Sequence, residues 1–468
     1  MRETKAEQNV SVLNTDAFDK RRFKEILEMS QGLRELRDEA VMPSFEPLLG
    51  DIWASLYKMK PALTDEEVTG SLAANKQVMQ AIMADPSFES FRHFTRLNDW
   101  ASAISTLKTG EKAHQWLVRQ TEKDRILREQ LRNVREQFNR QQDQPNPEAL
   151  AESLEEFNEK LKQTIEFNLE SFRQSMDQAR DEAQQGGEWL KSLLGGSRAG
   201  SGDAELRKVP LRDKIYLAEK ISTDRRLKEI ADWAGRFKQT ARKKQKAKQT
   251  ESVARQGVTT GIDVENLLPV ELSLYTHPMT KMDFLRRFSE RQTMQFELKG
   301  PEPLNKGPIV ICLDQSDSMR ELDTQSKGFV LALMSIAKRQ KRDLCLILFS
   351  SQVRQFEFSK GDIGASQIVK LAEAFLGGGT KFELALGEAL EVIGESRFKE
   401  ADLVFVTDGE DQVTDEFLER FNQLKREKAF QVLSMLIGTN PESVEPFTDR
   451  VVQVSDFNEE GSFTAFEV

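Results

Sequence analysis

The segment PIVICLDQSDS, residues 308–318, decides the fold of the C-terminal third of the 468-residue chain. It is a short, continuous apolar run that ends in small polar side chains, which is typical of a buried parallel strand followed by a loop. Residues 344–349, 403–406 and 430–437 have the same character further along the chain. We therefore predict a largely parallel sheet whose first strand begins near residue 308.

Segments with helical periodicity separate these strands. Apolar residues recur at three- and four-residue intervals over residues 320–339, 368–375, 382–393 and 414–425. The alternation of strand and helix predicts a doubly wound, Rossmann-like α/β domain, whose ligand site lies outside the carboxyl ends of the strands. Residues 353–358 follow the second strand through a two-serine turn and predict an antiparallel edge strand.

Three loops at the predicted carboxyl edge carry small oxygen-bearing side chains. DQSDS (314–318) follows the first strand, GGGT (377–380) precedes a helix, and TDG (407–409) follows the strand at 403–406. These loops supply two carboxylates and three hydroxyls as candidate metal ligands, namely Asp314, Asp408, Ser316, Ser318 and Thr380. Such hard oxygen ligands suit magnesium, with manganese or calcium as alternatives.

The small number of carboxylates has a chemical consequence. A divalent cation held by only two of them stays electrophilic and keeps a position open, which an acidic residue of another protein could fill. A structural alternative is that Asp314, Ser316 and Ser318 cap a helix beginning near Met319, while Asp408 forms an ordinary turn with Gly409.

The five candidate ligands, in this order and each at a strand-to-helix loop, resemble the metal-ion-dependent adhesion site (MIDAS) of von Willebrand factor type A (VWA) domains. The resemblance implies direct ligation by Ser316 and Ser318 and by Thr380 in some states. It implies that Asp314 and Asp408 ligate directly or through water. Asp317 stands where VWA sites often have glycine, and we expect it to face solvent and to alter the rim but not the ligand set.

The segment before the predicted sheet is similar to one particular family of VWA-containing proteins. DVENLLPVEL (263–272), leading into FLRRF (284–288), is similar to the segment preceding the VWA domain in the ViaA family, the VWA partners of MoxR-family AAA+ ATPases. The resemblance covers roughly residues 260–468. It implies a non-enzymatic cytosolic adaptor that binds a MoxR-type ATPase, an acidic residue of a client, or both, in chaperone-like remodelling. The chain has no G-x-x-x-x-G-K-[ST] phosphate loop, so ATP hydrolysis of that kind would belong to the partner.

The remaining residues predict a three-part organisation. Residues 1–194 have mostly helical periodicity, and those at about 121–190 predict an antiparallel hairpin or coiled-coil arm. Residues 195–306 predict a flexible linker followed by a helical connecting region, and residues 307–468 predict the VWA domain. The linker, GGSRAGSG (195–202), could be taken for a phosphate-binding loop, but neither a following Lys-Ser/Thr nor a preceding strand supports that alternative.

Charge is distributed unevenly along the chain. Residues 307–468 contain 17 basic and 28 acidic residues, a net charge of −11, whereas residues 1–306 contain 50 and 49, a net charge of +1, so the acidity of the chain lies in the predicted VWA domain. An acidic domain beside a neutral region argues against nucleic-acid binding, because phosphate contacts require a basic face. Seven basic residues between 236 and 248 form either a solvated helix end or a docking patch for an acidic partner, an anionic membrane or RNA.

Other functional classes are less favoured. A helical scaffold or membrane-surface protein, whose VWA domain tethers a partner, is the alternative function, and it allows peripheral membrane contact. A hydrolytic metal enzyme would need a general base, and no candidate lies near the five ligands, so we expect no catalytic residues. No apolar run is long enough to span a membrane and the N-terminus lacks a signal-like apolar core, so we expect a cytoplasmic protein without an extracellular adhesion role. Cys312 and Cys345 predict buried core thiols more than a redox pair.

Overall fold

The computed structural model describes residues 11–64, 68, 70–140, 146–195, 201–252, 254–299, 307–409, 411–438, 440–454, 458 and 466. The chain divides into two compact units. The helical unit comprises Met1–Gly195, Ala199–Asp232 and Ile363–Ala374, and the sheet unit is built from Trp233–Asp362 and Phe375–Val468. In the described part of the chain, no helix is both long enough and apolar enough to cross a membrane.

Helices make up most of the N-terminal half. They are α1 (Ala17–Met29), α2 (Gln31–Glu39), α3 (Phe45–Tyr57), α4 (Ser71–Met83), α5 (Phe88–Thr95), α6 (Asp99–Lys123), α7 (Arg125–Arg140), α8 (Pro147–Phe167), α9 (Leu169–Leu194), α10 (Ser201–Lys208), α11 (Leu211–Thr223) and α12 (Arg225–Ser252).

The C-terminal half alternates strands with helices. The elements are β1 (Ala254–Gly261), α13 (Pro269–Thr276), α14 (Lys281–Ser289), β2 (Thr293–Lys299), β3 (Ile309–Asp314), α15 (Asp323–Gln340), β4 (Leu344–Phe349), β5 (Val353–Phe358), α16 (Ala365–Glu373), α17 (Phe382–Gly394), β6 (Asp402–Thr407), α18 (Asp415–Glu427), β7 (Gln431–Ile437) and β8 (Arg450–Val454).

A six-stranded sheet in the order β5-β4-β3-β6-β7-β8 organises the sheet unit. All neighbouring strands pair in parallel except β5, which is antiparallel to β4 at one edge. The predicted doubly wound α/β domain and its antiparallel edge strand are therefore confirmed. Strands β3 and β4 are buried along their whole length, as their continuous apolar sequences require.

Phenylalanine fills the core on one side of this sheet. The Phe405 ring packs edge-on against Phe382 and Phe447, with centroids 5.0 and 5.3 Å apart, and is tilted against Phe349 at 5.1 Å. Each of these rings is fully buried. This core accounts for part of the high phenylalanine content of the chain, which has 29 phenylalanines and 3 tyrosines.

Strands β1 and β2 form a separate antiparallel pair, which sequence reasoning did not predict. Their sequences mix polar and apolar residues without the continuous apolar runs of the larger sheet. Helices α13 and α14 accompany the pair. The buried carboxylate of Glu271 on α13 accepts hydrogen bonds from Arg287 of α14 at 2.6 Å and from the backbone N–H of Met294 at 2.9 Å. One buried carboxylate therefore joins these two helices to β2.

In the helical unit, α6 is the central element and packs against α3, α9 and α11. Residues 22–37 have the apolar spacing of one amphipathic helix but form two. Ser30 ends α1 and caps α2, because its hydroxyl accepts a hydrogen bond from Leu33 N at 3.0 Å. Similarly, Asn168 separates α8 from α9 within a segment of unbroken apolar spacing. Residues 196–200 of the predicted linker lie outside the described residues, whereas Ser201 and Gly202 begin α10.

The basic run at 236–248 lies on α12, and its described side chains differ in exposure. Arg236 and Lys243 are exposed, but Lys238 is buried in the sheet unit and burial lowers the pKa of its amine to about 7. Trp233 and Phe237 of the same helix pack within the sheet unit, where the Phe237 ring lies 5.9 Å from that of Phe329 on α15. The first residues of the basic run therefore include one, Lys238, that packs in the interior, so the run is not uniformly exposed to solvent.

Candidate metal centre

The candidate ligands lie where the middle strands of the sheet end. Strand β3 pairs in parallel with β4 on one side and β6 on the other, so the loops after β3 and β6 leave the same edge. Asp314 is the last residue of β3 and Thr407 is the last residue of β6, and both are fully buried. After β3, Gln315 and Ser316 are still buried and Asp317 is the first exposed residue, whereas Asp408 after β6 is half-buried.

A chain of hydrogen bonds joins four of the five predicted ligands. Ser316 N donates to Asp314 Oδ1 at 2.8 Å, the Ser316 and Ser318 hydroxyls lie 3.0 Å apart, and Ser318 Oγ donates to Asp408 Oδ1 at 2.9 Å. The two carboxylates and two serine hydroxyls therefore lie in one cluster, with the buried Asp314 at its inner end and the exposed Ser318 at the surface.

Thr380 reaches the same cluster from the glycine-rich loop. A Cβ atom placed on Gly409 would lie 3.0 Å from Thr380 Oγ1 and 3.5 Å from Asp314 Oδ2. The Thr380 hydroxyl and the Asp314 carboxylate therefore both lie beside Gly409, where a side chain would crowd the hydroxyl. The structure brings all five sequence-predicted residues together.

Two further residues support the cluster, and sequence reasoning assigned neither of them this role. The Thr407 hydroxyl donates to Asp314 Oδ2 at 2.5 Å and accepts from Gly409 N at 3.0 Å, which fixes the buried carboxylate. Thr407 stands directly before Asp408 in the sequence, and this adjacency is the signal that could have revealed it.

Asp317 is the second. Its backbone N–H donates to Gly378 O at 3.0 Å, and its carboxylate accepts from Gly378 N at 3.1 Å and from Arg320 at 2.7 Å. The side chain is 60% exposed, yet it fastens the DQSDS loop to the glycine-rich loop. Gly377 and Gly378 have φ values of 66° and 85°, a backbone conformation that favours glycine. Hydrogen bonding to Arg320 lowers the pKa of the Asp317 carboxyl.

The electrostatics of the cluster suit a cation. Burial raises the pKa of Asp314, to which the nearby Asp408 carboxylate also contributes, and burial likewise raises the pKa of Asp408. A divalent cation would offset both effects, because it favours the charged form of each carboxylate. Each Asp314 oxygen already accepts one hydrogen bond, which leaves this residue suited to bind a cation through water.

The helix-capping alternative differs from the observed geometry. A single 3-10 turn, Ser318–Arg320, lies at Met319; its N-cap residue is Asp317 and no side chain caps it. Helix α15 begins only at Asp323 and has Leu322 as its N-cap residue, so the side chains of Asp314, Ser316 and Ser318 cap neither helix. Throughout the described ranges, no cluster of three or more His, Cys, Asp and Glu side chains is placed to hold a metal ion. The donor set here is different in kind, with two carboxylates and three hydroxyls.

Comparison with known proteins places this cluster within a recognised domain. The family model for the von Willebrand factor type A domain matches residues 309–410, a range that contains all five predicted ligands.

Three curated relatives illustrate the similarity. Uncharacterized protein MJ0811 of Methanocaldococcus jannaschii is 26% identical over 457 residues, which cover 96% of this chain and 97% of that protein. Uncharacterized protein MJ0077 of the same organism is 31% identical over 275 residues, covering 58% of this chain and 70% of that protein. Regulatory protein ViaA of Proteus mirabilis is 30% identical over 181 residues, covering 35% of this chain and 37% of ViaA.

Among solved structures, proximal thread matrix protein 1 of the mussel byssus, described with a zinc-occupied MIDAS motif, aligns with 34% of this chain and 46% of its own. The alignment has 19% identity and a TM-score of 0.28, which is too low to bear on the function.

Proposed function

The chain belongs to the family of von Willebrand factor type A proteins that includes its M. jannaschii relatives and, over a shorter stretch, ViaA. We propose that it is a non-enzymatic adaptor for a MoxR-family AAA+ ATPase. The observation that carries the proposal is the convergence of three loops on one cluster of two carboxylates and three hydroxyls. The name of the Proteus relative, a regulatory protein, supports a regulatory role. We place this role in the cytoplasm.

We propose that Asp314, Ser316, Ser318, Thr380 and Asp408 hold a divalent cation, with magnesium first and manganese or calcium as alternatives. The cation would act as a Lewis acid that accepts a carboxylate oxygen from a partner protein. Thr407 and the Ser316 N–H hold Asp314 in place, and Asp317 holds the loop that carries Thr380. Ser318 is exposed, so it lies on the side of the cluster from which a partner would approach.

The acidic residue that completes the site would come from the ATPase or from its client. A binding role fits the chain better than a hydrolytic one, because residues 307–468 contain no histidine and the cluster offers no evident general base. The work of remodelling a client would come from ATP hydrolysis by the partner.

The test is binding of the full chain to a purified MoxR-family ATPase from the same organism, measured in magnesium and in EDTA. Ser318→Ala is the variant of choice, because it removes an exposed hydroxyl without leaving a buried donor unpaired, as Asp314→Ala would. We expect EDTA to abolish binding and Ser318→Ala to weaken it about tenfold, the loss of one good ligand interaction.

Ser351→Ala is the matched control, because Ser351 is an exposed serine beside Gly378 but outside the hydrogen-bonded cluster. It should bind as the unaltered protein does. Equal binding in magnesium and in EDTA would show that the cation does not mediate recognition, and absence of binding in either condition would remove the ATPase from the proposal.

A further inference from the structure

A second candidate site lies in the helical unit, in a cavity of about 530 Å³. It is bounded by the segment from α5 into α6, by the end of α9, and by α10 and the start of α11. Four cationic side chains line it, and the His93 imidazole adds a fifth basic group; the four are Arg96, Lys191, Arg207 and Lys214. This concentration of positive charge is not evident from the sequence, because the N-terminal region is nearly neutral and the C-terminal region is acidic.

Lys214 is the most informative of these residues. Its side chain lies on α11 and is only 8% exposed, yet it lines the cavity. Among the residues that the structure describes, none forms a hydrogen bond or an ion pair with its amine. Burial lowers the pKa of Lys214, an effect that the charge of Asp99 partly opposes. A buried ammonium group without a direct partner is costly, and an anion in the cavity would remove that cost.

The start of α11 adds to the positive field. The N-cap residue is Pro210, which has no side chain able to accept a hydrogen bond from the first turn, and Leu211 at the first helical position lines the cavity. The free N–H groups at a helix N-terminus and the helix dipole both attract anions. Lys214 lies one turn further along the same helix.

Two of the four cations are paired with carboxylates outside the cavity lining, Arg96 with Glu89 at 3.3 Å and Lys191 with Glu188 at 3.1 Å. Binding of an anion would therefore depend on Lys214 and Arg207. Asp99 is the one carboxylate among the described lining residues, and its two oxygens accept hydrogen bonds from Arg22 at 3.1 and 2.8 Å. On another wall, Leu97 has a φ of 53° and is 59% exposed, an unusual state for a leucine. Strained backbone of this kind is concentrated at binding sites.

We propose that this cavity binds the phosphate group of a soluble small molecule. The geometry assigns the phosphate to Lys214, Arg207 and the N-terminus of α11, since ammonium, guanidinium and helix N–H groups are the usual partners of phosphate oxygens. Phe94 and Trp100 line the same cavity and supply an apolar wall for the organic part of the ligand.

The test is calorimetric titration of the full chain with inorganic pyrophosphate and with ADP as probes. Malonate serves as a non-phosphate dianion and phosphatidylglycerol vesicles serve as a lipid source of phosphate. We expect saturable binding of the soluble phosphates, weak binding of malonate, and at least a tenfold loss of phosphate affinity in Lys214→Met. We also expect Lys214→Met to keep or raise the ligand-free melting temperature while losing the increase that pyrophosphate gives, which separates ligand binding from a purely structural role.

Arg212→Gln is the matched control, because Arg212 is an exposed cation in the first turn of α11 that does not line the cavity. It should leave pyrophosphate binding within about twofold of the unaltered protein. The proposal is overturned by equal affinity in Lys214→Met and the unaltered chain, by tighter binding of malonate than of pyrophosphate, or by binding to vesicles without binding to either soluble phosphate.

Discussion

At the scale of single residues, the helical unit contains a carboxyl group whose charge opposes folding. Asp51 on α3 is almost wholly buried and accepts hydrogen bonds from the Ser11 hydroxyl at 2.5 Å and from Val12 N at 3.3 Å. Burial nevertheless outweighs these contacts and raises the pKa of Asp51 to about 6. Because the folded state then holds a proton that the unfolded state has lost between about pH 4 and 6, the contribution of Asp51 to stability falls as the pH rises through that window.

We therefore predict that Asp51→Asn stabilises the helical unit at neutral pH. The amide keeps an oxygen to accept from Ser11 and carries no charge. The gain in free energy of unfolding should be on the order of 2 kcal/mol at pH 7 and should shrink toward zero near pH 4. Urea unfolding of both proteins between pH 4 and pH 7.5 measures the difference; a gain that does not change with pH would mean that the charge of Asp51 is not its source.

At the scale of elements, α9 contains two adjacent glycines with opposite surroundings. A Cβ atom at Gly186 would meet no other atom within 4 Å. At Gly187 it would lie 2.8 Å from Phe94 Cζ and 3.3 Å from Trp100 Cη2, closer than packed side chains allow. Glycine at 187 thus allows the close packing of α9 on two aromatic rings, whereas glycine at 186 only weakens the helix.

The two positions form a matched pair for measurement. Gly186→Ala should raise the free energy of unfolding by about 0.5–1 kcal/mol, since alanine favours the helix. Gly187→Ala should lower it by about 1–3 kcal/mol through overpacking against Phe94 and Trp100. Chemical denaturation of the two variants side by side gives the comparison, and a similar gain in both would show that α9 does not pack on these rings as closely as described.

At the scale of the whole molecule, the sheet unit begins within helix α12, well before β3, which is the first strand of the six-stranded sheet along the chain. Trp233 and Phe237 belong to the sheet unit, and the Phe237 ring is fully buried between those of Trp233, at 5.5 Å, and Phe329. A Cβ atom on Gly328 of α15 would lie only 2.6 Å from Trp233 Cβ, so the backbones of α12 and α15 are in close contact at this point. We propose that the functional VWA region includes this part of α12 in addition to residues 307–468.

Removal of the Phe237 ring tests this wider boundary. Phe237→Ala should lower the stability of the sheet unit by about 3–5 kcal/mol, the usual cost of deleting a buried aromatic side chain. Differential scanning calorimetry of the full chain records the effect on each unfolding transition. Phe138→Ala, which removes a ring that is 46% exposed on α7, is the control and should change stability by no more than about 0.5 kcal/mol. A similar small change for Phe237→Ala would return the boundary to residue 307.

How much the sequence predicts also depends on scale. Strands β3, β4, β6 and β7 consist mainly of apolar residues, which explains why the sheet and the loops at its edge were predictable. The break at Ser30 was missed because apolar spacing continues across it, and capping is a property of one hydroxyl. The supporting role of Asp317 was missed because its partner Gly378 lies 61 residues away, a contact that no local pattern encodes.

The register of the central strands has a consequence for the two cysteines. Cys312 on β3 lies opposite Ile347, and Cys345 on β4 lies opposite Val310, so the thiols are offset by two residues on adjacent strands. Two rises of about 3.3 Å along the strand and about 4.8 Å between strands separate their Cα atoms by roughly 8 Å, beyond the reach of a disulfide. Burial also raises the pKa of Cys345 to about 12 and that of Cys312 well above its usual value. The folded sheet therefore shields both sulfurs from oxidants and alkylating reagents. The rate at which a thiol reagent labels the two cysteines would then measure how often the sheet opens.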